Sequence, residues 1–152
     1  MAVRAIGSAD ELKELVGEEL GVTDWRVIDQ AKVDAFADLT GDHQWIHVDT
    51  ERAAGSQFGG TIAHGFLSLS MCPSFGAEVF RIDFGSARLN YGLNVVRFPS
   101  PVPVGSRIRA RVAISDVQDA GSGLRSTTKY TIEIEDRDRP ACVAEQITYI
   151  AS

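Results

Sequence analysis

One segment of the sequence restricts the fold more than any other, because it is apolar on nearly every side over residues 62–80. Its large apolar residues do not keep to one helical face; they are Phe66, Leu67, Leu69, Met71, Cys72, Phe75, Val79 and Phe80. A helix that is hydrophobic all round is a buried helix. The segment is shorter than the roughly 20 residues that a bilayer crossing requires, and Pro73 interrupts it. We therefore expect a buried helix in a protein core, bent at Pro73.

The hydrophobic period changes to two after this helix, which predicts four strands. Their sequences are "RLNYGLNVVRF", "SRIRARVAISDV", "LRSTTKYTIEIE" and "ACVAEQITYI". In the second, Ile108 and Val112 face one way while Arg107 and Arg111 face the other. The connections "DAGSG" and "DRDRP" are typical of turns between consecutive antiparallel strands. The pattern predicts an α+β fold with an antiparallel sheet curled around the buried helix. This layout is called a hot-dog fold, although periodicity alone also allows other α+β layouts.

The chain before residue 42 carries the signals of two further helices. Ser8, followed by Glu11, fits a capping box at the start of the first helix, which Gly21 would close. The segment "DWRVI" predicts a strand. Asp29 would cap the second helix and Gly41 would end it. With 152 residues in all, we expect a single domain over residues 1–152.

The charge balance and the cysteines exclude several classes of protein. The formal net charge of −6 argues against a broad nucleic-acid surface, which needs a dominant basic face. The opening residues contain no signal-peptide core, and no stretch is long and uncharged enough to cross a membrane. Cys72 and Cys142 match no metal-ligand spacing. We expect them to be reduced, buried thiols of a cytoplasmic protein.

Four arginines lie on the predicted strands, namely Arg97, Arg107, Arg109 and Arg111. One interpretation is an ordinary solvated sheet face. The other is a docking surface for the phosphates of a coenzyme A substrate.

The stretch "TGDHQWIH", residues 40–47, gathers two of the three histidines in the chain beside a carboxylate. One interpretation is a metal site, because His43 and His47 have the i, i+4 spacing that places two imidazoles on one helical face. Gly41 has just ended a helix, however, and only His64 or an acidic residue could complete the ligand set. We therefore expect no metal here.

A second interpretation makes Asp42 and His47 an acid–base pair. In irregular backbone after Gly41, the two side chains can converge on one water molecule. Asp is ionised at neutral pH, and His can take or give a proton there. The third interpretation is a turn residue and a half-buried histidine without any chemistry.

The stretch "TIAHGF" begins the buried helix, with Thr61 as its candidate cap and Gly65 in its first turn. Amides of a first helical turn have no partner inside the helix and suit an oxyanion or a thioester carbonyl. Gly65 would let such a ligand approach closely. It could equally serve helix packing, and His64 could be a cap, a ligand or a core residue.

The segment "FADLTGDHQWIHVDTERAA" resembles the signature of the MaoC-like, R-specific enoyl-CoA hydratases. Gly41, Asp42, Ile46 and His47 match that signature, with Ala53 at its small downstream position. "IAHGF" is similar to the second sequence block of the family and "RFPSPVPVGSRIRA" to the third. The similarity extends from about residue 24 to residue 149, and the wording "GDHQWIHVD" is similar to a subgroup with nodulation protein N-like proteins and mycobacterial R-hydratases.

The resemblance implies a hot-dog homodimer that adds water reversibly to trans-2-enoyl-CoA, giving (3R)-hydroxyacyl-CoA. It implies that Asp42 and His47 activate the water and that the Gly65 amide binds the thioester oxygen. We also assign Gln44 and His64 to substrate binding. The acyl-CoA is the substrate, and no cofactor or metal is expected.

Two positions depart from the family. Its Asn-Pro is Gln44-Trp45 here, so the loop lacks a proline restraint. Some members carry a serine that supports the catalytic Asp, at the position that Pro73 occupies here beside Ser74. The alternatives are a hot-dog acyl-CoA thioesterase and a non-catalytic acyl-binding subunit of a dehydratase complex.

Overall fold

A computed structural model describes residues 2–152 as six helices and eight strands. The helices are α1 (Ala9–Glu14), α2 (Gln30–Thr40), α3 (Trp45–Val48), α4 (Thr50–Ala54), α5 (Gly65–Ser70) and α6 (Cys72–Val79). The strands are β1 (Arg4–Ile6), β2 (Glu19–Val22), β3 (Arg26–Val27), β4 (Phe80–Ile82), β5 (Ala87–Arg97), β6 (Arg107–Ala120), β7 (Gly123–Ile134) and β8 (Cys142–Ala151). Within the described residues no helix has both the length and the apolar character for spanning a bilayer.

The main sheet has the strand order β2-β6-β7-β8-β5, with β3 also paired to β6, and every pairing is antiparallel. The four predicted long strands are confirmed. β5 does not pair with its sequence neighbour β6; it crosses to the far edge and pairs with β8. A separate parallel pair, β1 with β4, was not predicted from the sequence.

The core lies between the inner face of this sheet and α6. Phe75 and Val79 of α6 are buried against inward-facing residues of β6 and β7, among them Ile108, Val112 and Ile132. The alternation that was predicted for β6 places the apolar residues in this core and the arginines outside. The structure therefore confirms an antiparallel sheet packed on a buried helix.

The segment predicted as one buried helix is two short helices. α5 ends at Ser70 and α6 begins at Cys72, with Pro73 in its first turn, where a missing N–H is tolerated. Residues 62–64 are not helical, and Phe66 points outward with 66% of its surface exposed. The apolar run thus contains a break that its composition did not reveal.

The helix starts were predicted better than the helix ends. Ser8 caps α1 as expected, but α1 ends at Glu14 and not at Gly21, because residues 19–22 join the sheet edge as β2. Asp29 caps α2, and Gly41 ends it in the left-handed conformation (φ 81°), both as predicted. The loop that carries the candidate acid–base pair starts at this glycine.

Candidate active site

Three polar side chains from separate parts of the chain converge beside the start of α5. Asp42 follows Gly41, His47 lies in α3, and His64 immediately precedes α5. One ligand atom from each, either a ring nitrogen or a carboxylate oxygen, lies within 4.8 Å of the other two. The centre of an equilateral triangle of that side is about 2.8 Å from each corner, which is hydrogen-bonding distance. One water molecule can therefore contact all three side chains.

His47 is held from its ring and from its backbone. It is 6% exposed, and its Nδ1 lies 2.7 Å from the carbonyl oxygen of Ile62. A carbonyl only accepts, so Nδ1 carries the hydrogen and Nε2 keeps a lone pair in the neutral ring. The carbonyl of His47 accepts a hydrogen bond from the Gln30 amide at 2.8 Å, and the Gln30 oxygen accepts one from Thr61 at 2.6 Å.

The pKa of His47 lies below its ordinary value of 6.5, chiefly because burial disfavours the charged ring. The hydrogen bond to Ile62 opposes this shift, His64 adds to it, and the charge of Asp42 opposes it. The net lowering keeps His47 neutral at pH 7, so that Nε2 can accept a proton.

Asp42 is exposed, and only long contacts hold it. Its backbone N–H points to the Thr40 hydroxyl at 3.4 Å, and its Oδ1 accepts from the Gln44 N–H at 3.4 Å. The stretch "WIHV" was expected to be irregular, but it forms the single turn of α3. Asp42 thus lies in the loop and His47 in a helix, and that arrangement lets the two side chains approach each other despite their spacing of five residues.

His64 occupies the N-cap position of α5, although its side chain makes no capping hydrogen bond. Its ring is 2% exposed and stacks on that of His47, with centroids 3.8 Å apart and planes 22° from parallel. Its Nε2 lies 3.0 Å from the backbone carbonyl oxygen of Asp42. The sequence left this residue as a cap, a ligand or a core residue; the structure brings it into the candidate site. Thr61, predicted as the cap, bonds Gln30 instead.

Asp, His and His are also residue types that bind zinc, but the ring arrangement does not suit one ion. A metal lies in the plane of each imidazole that binds it, about 2 Å from the nitrogen. The rings of His47 and His64 are stacked face to face, so their lone pairs point side by side. His43, the other histidine in the metal interpretation, is exposed and pairs with Asp38 at 2.9 Å; that hydrogen bond raises the pKa of His43.

Gly65 borders a cavity of about 280 Å³ that His47 also lines. As the first residue of α5, Gly65 has an N–H without a partner inside the helix. A Cβ at this position would lie only 3.2–3.3 Å from three ring atoms of Phe98, which covers the glycine from the other side. The six residues of α5 give a weaker dipole than the long helix we expected, so the Gly65 amide itself is the main donor.

Two sequence expectations for substrate contacts fare differently. Gln44 is exposed at the N-cap of α3, and among the described residues it does not line the cavity beside His47. The arginines of β6 are paired with carboxylates: Arg107 with Glu135, Arg109 with Glu133, and Arg111 with Glu19 and Glu133. This face is therefore a charge-balanced sheet surface rather than a ready phosphate site.

Gln30, Thr61 and Phe98 are the residues of the site that the sequence analysis missed. Gln30 connects α2 to both His47 and Thr61 across 17 and 31 residues of sequence. Such bonds depend on the tertiary fold. Only the position of Phe98 in the third family-like block gave a signal.

Comparison with known proteins follows the same residues. The family profile described as "MaoC like domain" matches residues 11–136. The chain is 48% identical over 151 residues to the 3-hydroxyacyl-thioester dehydratase Z of Mycobacterium tuberculosis, covering 98% of this chain and all of that protein. It is 47% identical over 146 residues to nodulation protein N of Rhizobium leguminosarum bv. viciae, covering 94% and 91% of the two chains. An (R)-hydratase from A. caviae superimposes with a TM-score of 0.71 at 24% identity, over 88% of this chain and 96% of that one. This likeness confirms the hot-dog fold.

Proposed function

Because this chain belongs to the MaoC-like dehydratase family, we propose that it is an R-specific enoyl-CoA hydratase. It adds water reversibly to trans-2-enoyl-CoA and gives (3R)-hydroxyacyl-CoA. The observation that carries this proposal is the convergence of Asp42 and His47 within reach of a single water molecule, beside the Gly65 amide.

The proposed reaction uses these groups as follows. The water donates one hydrogen bond to the Asp42 carboxylate and the other to Nε2 of the neutral His47. As its oxygen bonds to C3 of the enoyl chain, a proton passes from the water to the pair, and the pair delivers a proton to C2. The Gly65 N–H donates to the thioester oxygen, where negative charge develops. The net change is H and OH added across the double bond, without a cofactor.

The relatives support the thioester and the stereochemistry. The mycobacterial relative is named for a 3-hydroxyacyl thioester and is 48% identical over nearly the whole of both chains. The A. caviae neighbour is an (R)-hydratase. We propose coenzyme A as the carrier and a cytoplasmic location; the free, buried thiols of Cys72 and Cys142 suit a reducing compartment.

We further propose that the protein is a homodimer formed along β5. This strand is the edge of the main sheet and is exposed along nearly its whole length. It presents Leu89, Tyr91, Leu93 and Val95, each with 46–59% of its surface exposed. An open strand with a row of apolar side chains is a template for pairing with another chain. A second copy would cover both the edge and the apolar side chains.

The test is incubation with trans-2-enoyl-CoAs of several chain lengths, following loss of the conjugated double bond and the chirality of the product. Asp42→Asn and His47→Gln are each expected to lower kcat by about 10²–10⁴-fold while circular dichroism shows an intact fold. His43→Gln, in the same stretch but exposed and paired with Asp38, is the matched control and should retain wild-type activity. Absence of hydration at every length, or an S product, contradicts the proposal, and release of free coenzyme A would indicate a thioesterase.

A further inference from the structure

The carboxylate that the proposed reaction depends on lies in a poorly anchored loop. Residues 41–44 connect α2 to α3 without regular structure. The two local contacts of Asp42, to Thr40 and Gln44, are both 3.4 Å long, at or beyond the far end of the range for hydrogen bonds. Ser74, beside the position where some relatives support this Asp, accepts a hydrogen bond from Arg26 at 2.9 Å instead. Some other group must therefore fix the loop.

The contact that reaches Asp42 from the protein interior comes from His64. Its Nε2 lies 3.0 Å from the Asp42 carbonyl oxygen, and a carbonyl only accepts, so Nε2–H is the donor. The other ring nitrogen, Nδ1, is buried and has no hydrogen-bond partner among the described residues. The bond to Asp42 is thus the polar contact that orients this ring.

The same ring supports His47. The two imidazoles are stacked with centroids 3.8 Å apart, and Phe36 packs on His64 at 5.0 Å. His64 is also the residue directly before Gly65 in the chain. One buried side chain therefore contacts the loop of Asp42 and the ring of His47, and its backbone leads into the amide that borders the cavity.

We propose that His64 is the positioning residue of the catalytic pair: its Nε2–H holds Asp42 through the backbone carbonyl while its ring face holds His47. This inference rests on the proposed function and reassigns His64 from substrate binding to support. His64 acts through Asp42 and His47. Misplacing a reacting group by about 1 Å can cost on the order of 10²-fold in rate, so loss of the tether acts mainly on kcat.

Two substitutions separate the hydrogen bond from the packing. His64→Gln places an amide N–H near the position of Nε2 and loses the aromatic stack. His64→Phe keeps a stacked ring of similar size and loses the donor. We expect His64→Phe to lower kcat by about 10–10²-fold with little change in KM. His64→Gln is expected to recover at least about tenfold of that loss. Equal losses in the two variants, wild-type kcat in His64→Phe, or a change confined to KM would overturn the proposal.

A readout without substrate keeps this inference distinct from the proposed function. The ¹⁵N and ¹H shifts of the wild-type imidazoles report which nitrogen carries the hydrogen. We expect the Nε2–H form for His64 and the Nδ1–H form for His47. Amide hydrogen exchange at residues 42–44 should be faster in His64→Phe than in wild type and close to wild type in His64→Gln. An Nδ1–H form of neutral His64, or unchanged exchange in His64→Phe, would refute the tether. A wild-type protein that shows the expected shifts and exchange but hydrates no enoyl-CoA would refute only the function.

Discussion

Gly65→Ala is expected to lower activity strongly while leaving the stability of the fold nearly unchanged. The added methyl group meets three atoms of the Phe98 ring at 3.2–3.3 Å, so the ring must retreat by a few tenths of an ångström. Phe98 is 41% exposed, and one side of its ring is therefore free to move. The same methyl group lies beside the amide that we assign to the thioester oxygen.

The two opposing contributions to stability are of similar size. Ala in place of Gly inside a helix favours folding by up to about 1 kcal/mol, and less at a first position. Displacing Phe98 from its rotamer costs about 0.5–1.5 kcal/mol. The free energy of unfolding should thus change by no more than about 1 kcal/mol, which is about 2–4 °C in Tm for a chain of this size. Loss of one donor to a developing oxyanion typically costs about 10²–10³-fold in kcat.

The assay is the hydration rate of a short trans-2-enoyl-CoA, with thermal unfolding followed in parallel. Gly60→Ala is the matched control, because a Cβ there meets nothing within 4 Å, and it should keep wild-type activity. Gly65→Ala with Phe98→Leu removes the crowding; recovery of activity would mean that Phe98 had been pushed into the cavity. Wild-type kcat/KM in Gly65→Ala alone would refute the assignment of this amide.

Three other predictions concern pH, the core and assembly. Because burial lowers the pKa of His47, kcat/KM should hold down to pH 6.5 and fall only below it, about tenfold per pH unit; a decline that begins above pH 6.5 contradicts this. Asp42→Asn removes a charge that raises that pKa, so an NMR titration should find His47 titrating at still lower pH. Phe75→Ala, at a fully buried site, should reduce the free energy of unfolding by about 3–5 kcal/mol in urea, and a loss under about 1 kcal/mol would show that Phe75 is not part of a packed core. Tyr91→Lys with Leu93→Lys should convert the dimer to a monomer in sedimentation experiments; an unchanged dimer would place the interface elsewhere.

The sequence predicted best where one local rule decides the structure. The alternation in β6 and the cap at Asp29 with the stop at Gly41 each depend on neighbours within a few residues. The extent of α1 was wrong, because pairing of residues 19–22 with β6 overrides their helical pattern. The pairing of β5 with β8 also escaped prediction, since strand order depends on contacts across more than 50 residues.

The candidate site shows the same division. Asp42, His47 and Gly65 could be proposed from their chemical types and spacing, together with a family resemblance. The contacts that hold them could not, because the bonds of His64 to Asp42 and of Gln30 to His47 join residues 22 and 17 positions apart. Such supporting residues are ordinary polar side chains until the fold brings them into contact.

The buried cysteines give the protein an internal reporter of core opening. Cys72 begins α6 and Cys142 begins β8, and their side chains are 1% and 0% exposed. The Cys142 thiol beside it and burial both raise the pKa of Cys72, which slows its reaction further. A thiol reagent can reach the pair only when the helix separates from the last strand. When reclosing outpaces modification, the labelling rate measures how often that separation occurs. Every substitution above can thus be ranked by core opening in solution, without an added probe.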